Sequence, residues 1–107
     1  MLRSLFGIGP KVDLKQVLTK GALILDVRTP AEYTQGHVQG SINIPLDVPT
    51  QNLHKLDKTE PVITCCRSGM RSGQAVHVVQ AHGSSVYNGG PWTKVDQLVK
   101  EQCEHAY

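Results

Sequence analysis

The run Thr64-Cys65-Cys66-Arg67-Ser68-Gly69-Met70-Arg71-Ser72 sets a thiol between an apolar stretch, Pro61-Val62-Ile63-Thr64, and the start of a helical pattern. A cysteine at a helix N-terminus, with arginine beside it, is placed where a thiol becomes a thiolate. Unpaired backbone N–H groups, the helix dipole and guanidinium charge all favour the anion. The same groups can cradle an anionic substrate. Gly69 supplies the conformational freedom for the loop to wrap inward, so that the N–H groups of Arg67 through Arg71 form a nest around Cys66. Together these can bring a thiol from about 8.5 into the range of roughly 3.5–7.5, with no histidine needed as a base. Arg67 and Arg71 fit anion binding and loop bracing. Ser68 is suited either to donate a hydrogen bond to the sulfur or to cap the loop.

The two adjacent cysteines differ. Side chains alternate along a strand, so Cys65 points away from Cys66 and lies nearer the sheet interior, as a packing residue. A resolving thiol is a further role open to it, against the strain of pairing neighbours. Shifting the frame by one residue gives Cys65-x5-Arg71-Ser72, which fits the signature of cysteine phosphatases and arsenate reductases. That longer loop suits a tetrahedral oxyanion, the shorter one a single sulfur atom.

Positioning this loop requires a strand before it and a helix after it, and the rest of the chain supplies that alternation. Asp13 caps a helix through Lys20, with Gly21 at its stop. Ala22–Val27 reads as a strand buried on both faces. Thr29-Pro30-Ala31-Glu32 opens a short helix with a capping box. Gly40–Pro45 reads as a brief strand, and the stretch from Asp47 to Leu56 as a short helix or turn. The strand Val62–Cys65 then leads through the loop to a helix from Ser72 to Ala81. Ser85–Tyr87 forms the last strand, Gly89-Gly90 a turn, and Pro91-Trp92 opens a final helix carrying Val95, Leu98 and Val99. The fold class expected is α/β, a mainly parallel sheet with helices on both faces. In such sheets ligands bind beyond the C-terminal strand ends, where Cys66–Arg71 lies.

With 107 residues the chain has room for one core. The expected boundaries are a tail at 1–10, a domain at 11–101 and a tail at 102–107. A net charge of +2 with no basic stripe argues against nucleic acid. No run is long enough to span a bilayer, and the N-terminus lacks the marks of a secretory signal. Three cysteines, two of them adjacent, make no disulfide framework, which points to reduced, cytoplasmic thiol chemistry. No metal or cofactor is expected. His77 and His82 are poorly spaced for a shared ion, Cys103-Glu104-His105 has no partner ligands, and Gly7-Ile8-Gly9 follows no strand. Lys55, Lys58, Lys94 and Lys100 read as solvated surface, and the size favours a monomer.

The chain resembles a single-domain rhodanese over nearly its whole length. The resemblance is carried by Leu25-Asp26-Val27-Arg28-Thr29-Pro30-Ala31-Glu32-Tyr33, Gly36-His37-Val38-Gln39-Gly40-Ser41-Ile42-Asn43-Ile44-Pro45, Cys66-Arg67-Ser68-Gly69-Met70-Arg71-Ser72 and Tyr87-Asn88-Gly89-Gly90-Pro91-Trp92. It implies a three-layer α/β/α fold with a central sheet of about five strands. It also implies transfer of a sulfane sulfur from thiosulfate or a similar donor, through a persulfide on Cys66, to cyanide or to a thiol or protein acceptor. Arg67, Ser68, Gly69, Met70 and Arg71 would then line the substrate. Asp26, Arg28 and His37 would be structural, with Arg28 pairing a carboxylate such as Glu32. Trp92 would be core or pocket wall, and Gly89-Gly90 part of the rim. A third reading, a non-catalytic sulfur-carrier or binding module of the same fold, is opposed by the retained Cys66, Arg67 and Arg71.

Overall fold

The computed structural model describes residues 13–47 and 50–104. Gly7-Ile8-Gly9, His105 and the 1–10 tail lie outside them, as do residues 105–107 of the C-terminal tail. Four helices, a 3-10 helix and four strands make up the described chain. In order they are α1 (Leu14–Thr19), β1 (Leu23–Asp26), α2 (Pro30–Gln35), β2 (Ile42–Asn43), a 3-10 helix (Thr50–Lys55), β3 (Val62–Cys66), α3 (Met70–Ala81), β4 (Val86–Pro91) and α4 (Trp92–Glu104). The sheet runs β2-β1-β3-β4 with every pairing parallel. Four strands therefore stand where about five were expected, among the described residues.

The local signals act as their chemistry dictates. The Asp13 side chain accepts the Lys15 N–H at the start of α1. Thr29 and Glu32 close a full capping box on α2, and Pro30 sits in its first turn, where a missing N–H costs nothing.

Strand β3 is buried along its whole length and divides the core by alternation. Val62 and Cys66 face one layer with Leu25, Val27, Leu53, Leu56, Ala75 and Val79. Ile63 and Cys65 face the other with Val17, Leu18, Ile24, Val38 and Val95. One layer thus packs under α3 and the 3-10 helix, the other under α1 and α4.

Several boundaries differ from the sequence expectation: β1 is shorter than Ala22–Val27, β2 is shorter than Gly40–Pro45, and β3 runs one residue further, to Cys66. Helix α3 begins at Met70 rather than Ser72, since Gly69 itself serves as its N-cap in a left-handed conformation, φ +100°. Helix α4 continues through Gln102 and Cys103 to Glu104. The pair Gly89-Gly90 is not a turn but lies inside β4, which runs to Pro91. Between the pairs Thr64–Asn88 and Cys66–Pro91, β4 spends one residue more than β3, which makes the glycines a bulge. Gly90 takes φ +77° there. A Cβ on Gly89 would sit 2.7 Å from the Thr64 carbonyl oxygen and from Val95 Cγ2. Only glycine lets β4 approach so closely.

Candidate functional site

The bulge and the end of β3 bring the Cys66 loop under the first turn of α3. Cys66 has no exposed surface, whereas Arg67 and Ser68 beside it are exposed. Its Sγ accepts the Gly69 N–H at 2.9 Å and the Ser72 N–H at 3.3 Å. The thiol itself donates to Ser72 Oγ, 3.3 Å away. Burial alone would raise this thiol. Hydrogen bonds from the Ser72 hydroxyl and from the backbone N–H groups of Ser72, Gly69 and Ser68 outweigh that and hold it below the ordinary thiol value. Ser68 acts on the sulfur through its backbone N–H, as one of the nest of loop donors.

Cys65 has the opposite environment. It is fully buried in the layer under α1 and α4, with the loop N–H groups on the far side of the sheet. Burial, reinforced by the nearby Asp26 carboxylate, pushes its thiol up to about 12. Adjacent in sequence, the two sulfurs occupy different layers.

The arginines separate into distinct tasks. Arg71 does not reach over the sulfur as a free charge. Its two terminal nitrogens clamp Glu32 of α2 at 2.8 and 3.0 Å, and the ion pair holds the Glu32 carboxyl at about 2. Arg28 does not pair Glu32 either. It is buried and bonds both oxygens of Asp26 through Nε at 2.9 and 3.0 Å, and Oδ2 through Nη2 at 2.7 Å. Arg28 also donates to the Gly36 carbonyl at 2.6 Å and lies over the Trp92 ring at 4.8 Å. Asp26 accepts the Arg28 backbone N–H as well, so this pair ties β1 to the loop that follows it. Arg67 has no carboxylate partner among the described residues. It borders a groove of about 360 Å³ with Arg28, Glu32, Gln35, Gly36 and Trp92. An unpaired guanidinium at the mouth of the loop can attract an anion; a neutralised one cannot do so as strongly.

The remaining expected residues fall around this centre. His37 is exposed at the end of α2, stacked on Tyr33 with ring centroids 3.8 Å apart, and its Nδ1 lies 2.7 Å from the Tyr33 carbonyl. Trp92 is both core and wall, packing against the layer under α1 while lining the groove. Met70 is exposed beside the loop. Gly69 and Gly90 meet across the rim, where a Cβ on Gly69 would lie 3.4 Å from the Gly90 Cα. Three residues escaped the sequence reading as parts of the site. In the sequence Glu32 reads as a capping residue and a partner for Arg28, Ser72 as a helix start and the end of the Cys65-x5-Arg71-Ser72 frame, and Asn88 only as a member of the Tyr87–Trp92 motif. Asn88 Oδ1 accepts the Ser72 hydroxyl at 2.7 Å and the Gly90 N–H at 2.9 Å.

Among the described residues no group of His, Cys, Asp and Glu could hold a metal ion, and no helix is long and apolar enough to cross a membrane. The site offers a buried sulfur bathed in N–H donors, at the floor of a loop with a cation at its mouth. That arrangement can stabilise a sulfur anion, or a second sulfur carried on it.

Comparison with known proteins gives a consistent answer. The sequence profile of the Rhodanese-like domain matches residues 11–91. Thiosulfate sulfurtransferase PspE of Escherichia coli is 41% identical over 69 residues, covering 62% of this chain and 66% of that protein. Thiosulfate:glutathione sulfurtransferase of Saccharomyces cerevisiae is 32% identical over 96 residues, covering 72% and 69%. A solved rhodanese with anions from E. coli superposes with a TM-score of 0.63 at 36% identity, covering 69% of this chain and 91% of that one. The chain spans between 54% and 66% of the length of the first curated relatives that it matches.

Proposed function

Because the chain belongs to the rhodanese-like domain family, we propose that it is a thiosulfate sulfurtransferase that works through a persulfide on Cys66. The observation that carries this reading is the set of N–H donors from Gly69 and Ser72 converging on Cys66 Sγ, while Cys65 lies in the opposite layer. The Cys66 thiolate attacks the outer sulfur of thiosulfate. A new S–S bond forms, the S–S bond of thiosulfate breaks, and sulfite departs with its electron pair. The outer sulfur of the Cys66 persulfide then carries the charge that the loop N–H groups accommodate. A cyanide ion or a thiolate attacks that sulfur, and the Cys66 thiolate leaves with the electron pair, restoring the enzyme. Since Cys66 has no exposed surface, the donor enters by displacing part of the loop. Arg67 at the loop mouth draws the anion in, and Gly69 and Met70 line its path.

Two features weigh against an oxyanion enzyme in the Cys65-x5-Arg71 frame. Its nucleophile would be a thiol held near 12 on the wrong side of the sheet, and its arginine is already clamped by Glu32. The same separation of layers opposes Cys65 as a resolving thiol. A reducing, cytoplasmic setting fits the three free cysteines of the described chain.

Intact-protein mass spectrometry after brief incubation with thiosulfate tests the proposal. Wild type and Cys65→Ser gain one sulfur atom that cyanide removes, and Cys66→Ser gains none. Equal gain in Cys66→Ser, or none in any variant, overturns it.

A further inference from the structure

Ser72 has one hydroxyl proton and two acceptors for it. While Cys66 is a thiol, its S–H donates to Ser72 Oγ at 3.3 Å, and the Ser72 hydroxyl donates onward to Asn88 Oδ1 at 2.7 Å. When Cys66 is an anion it has no proton to give and becomes the stronger acceptor of the two. The Ser72 hydroxyl need only rotate about its C–O bond to donate to the sulfur instead. Asn88 is already built to tolerate that loss, because Oδ1 also holds the Gly90 N–H at 2.9 Å and Nδ2 donates to the Gly69 carbonyl at 3.3 Å. The amide therefore stays in place in either state, bridging β4 to the catalytic loop. Ser72 is fully buried, so water does not supply a third partner for its proton.

We infer that Ser72 is a one-proton switch that follows the charge on Cys66, and that Asn88 is the positioning residue that holds its hydroxyl away from the sulfur in the thiol state. The inference rests on Cys66 being the nucleophile proposed above. Its chemistry conserves every proton. Ionisation releases the thiol proton to solvent, and the serine proton changes acceptor without leaving its oxygen. During turnover the switch supplies a donor to the leaving Cys66 thiolate when the outer sulfur passes to the acceptor, and withdraws it when the residue is neutral.

Other charged groups around Cys66 do not share this proton. Arg71 of α3 is paired with Glu32 of α2, and Asp26 of β1 with Arg28. Cys65 faces the other layer. Arg67 is on the exposed side of the loop.

Ultraviolet thiolate absorbance, titrated against pH in a Cys103→Ser background, reads Cys66 without any sulfur donor. It therefore tests the switch independently of sulfur transfer, and Cys65 stays silent because it is held up near 12. Ser72→Ala moves the midpoint upward, with about tenfold less thiolate at pH values below it. Asn88→Ala moves it downward, with about threefold more thiolate, because the serine proton is left only the sulfur to serve. The double variant titrates like Ser72→Ala alone. An Asn88→Ala shift that persists without Ser72, or no shift in either single variant, overturns the inference. Should Asn88→Ala not fold, Asn88→Asp replaces it. Its carboxylate grips the hydroxyl and raises the midpoint more in the presence of Ser72 than in its absence, and equal rises overturn the switch.

Discussion

At the scale of single residues, the two loop arginines look alike in sequence and differ in the fold. Cys66, Arg67 and Gly69 were legible because their chemistry is local: a thiol, a charge and a positive-φ position within four consecutive residues. The partner of Arg71 was not, because Glu32 stands 39 residues earlier and meets it only through the packing of α2 against α3. Arg28 pairs with Asp26, two residues away, through Nε and Nη2 rather than with Glu32, and Nη2 also reaches the Gly36 carbonyl. Ser72 and Asn88 were illegible as a pair, since only the sheet order brings them together. The consequence is a split between the two substitutions. Arg67→Ala removes an exposed, unpaired cation and should raise KM for thiosulfate about three- to tenfold, with the melting temperature unchanged and the effect fading in high salt. Arg71→Ala breaks a half-buried bidentate pair and should cost about 0.5–1 kcal/mol of stability by urea unfolding. If Arg71→Ala instead raises KM at full stability, its charge serves substrate and not the brace.

At the scale of elements, most starts and stops were written locally and the exceptions came from close approach. Asp13, the Thr29–Glu32 box and the alternation along β3 are short-range signals and hold in the fold. Gly89-Gly90 carried a turn signal that tertiary contact overrode, because the same freedom that makes a turn also makes a bulge. Gly89→Ala is expected to destabilise the protein by about 2–3 kcal/mol, since the new methyl meets backbone and two packed side chains that cannot yield. Chemical denaturation measures it, and a loss under half that size means β4 can slide outward. The brace between α2 and α3 has its own pH signature. The Glu32 carboxyl is lowered from 4.5 to about 2 by its bonds to Arg71 and Thr29. A depressed carboxyl stabilises the fold above its unfolded value and loses that contribution as pH falls from 4.5 towards 2. Glu32→Gln should therefore be less stable than wild type at neutral pH and converge with it in acid. Parallel stability curves for the two proteins contradict the brace.

At the scale of the whole molecule, the order β2-β1-β3-β4 places β3 inside the sheet with a helix layer on each side, and this gives two neighbouring cysteines opposite fates. Cys66 opens onto the mouth of α3, where backbone donors favour its anion. Cys65 enters a layer of aliphatic side chains, where burial and the Asp26 carboxylate outweigh the favourable charge of Arg28. The sequence alone could alternate the two side chains, but how apolar the second layer is depends on α1 and α4 closing over it. The stability of the domain should record the difference. A thiol raised from 9.0 to about 12 in the fold ionises first in the unfolded chain. Its contribution is complete below 9, and is lost as pH rises from there towards 12. Within that window each pH unit shifts the folding equilibrium by about tenfold toward the unfolded chain. Cys65→Ala removes this ionisation at the expense of a small void, so it should be the less stable protein at neutral pH and the more stable one in strong alkali. Urea unfolding of both proteins across that range locates the crossing. A constant gap between them would mean that Cys65 is not sealed in the second layer. The loop would then lie open to either sulfur, and the assignment of the persulfide to Cys66 would lose its structural ground.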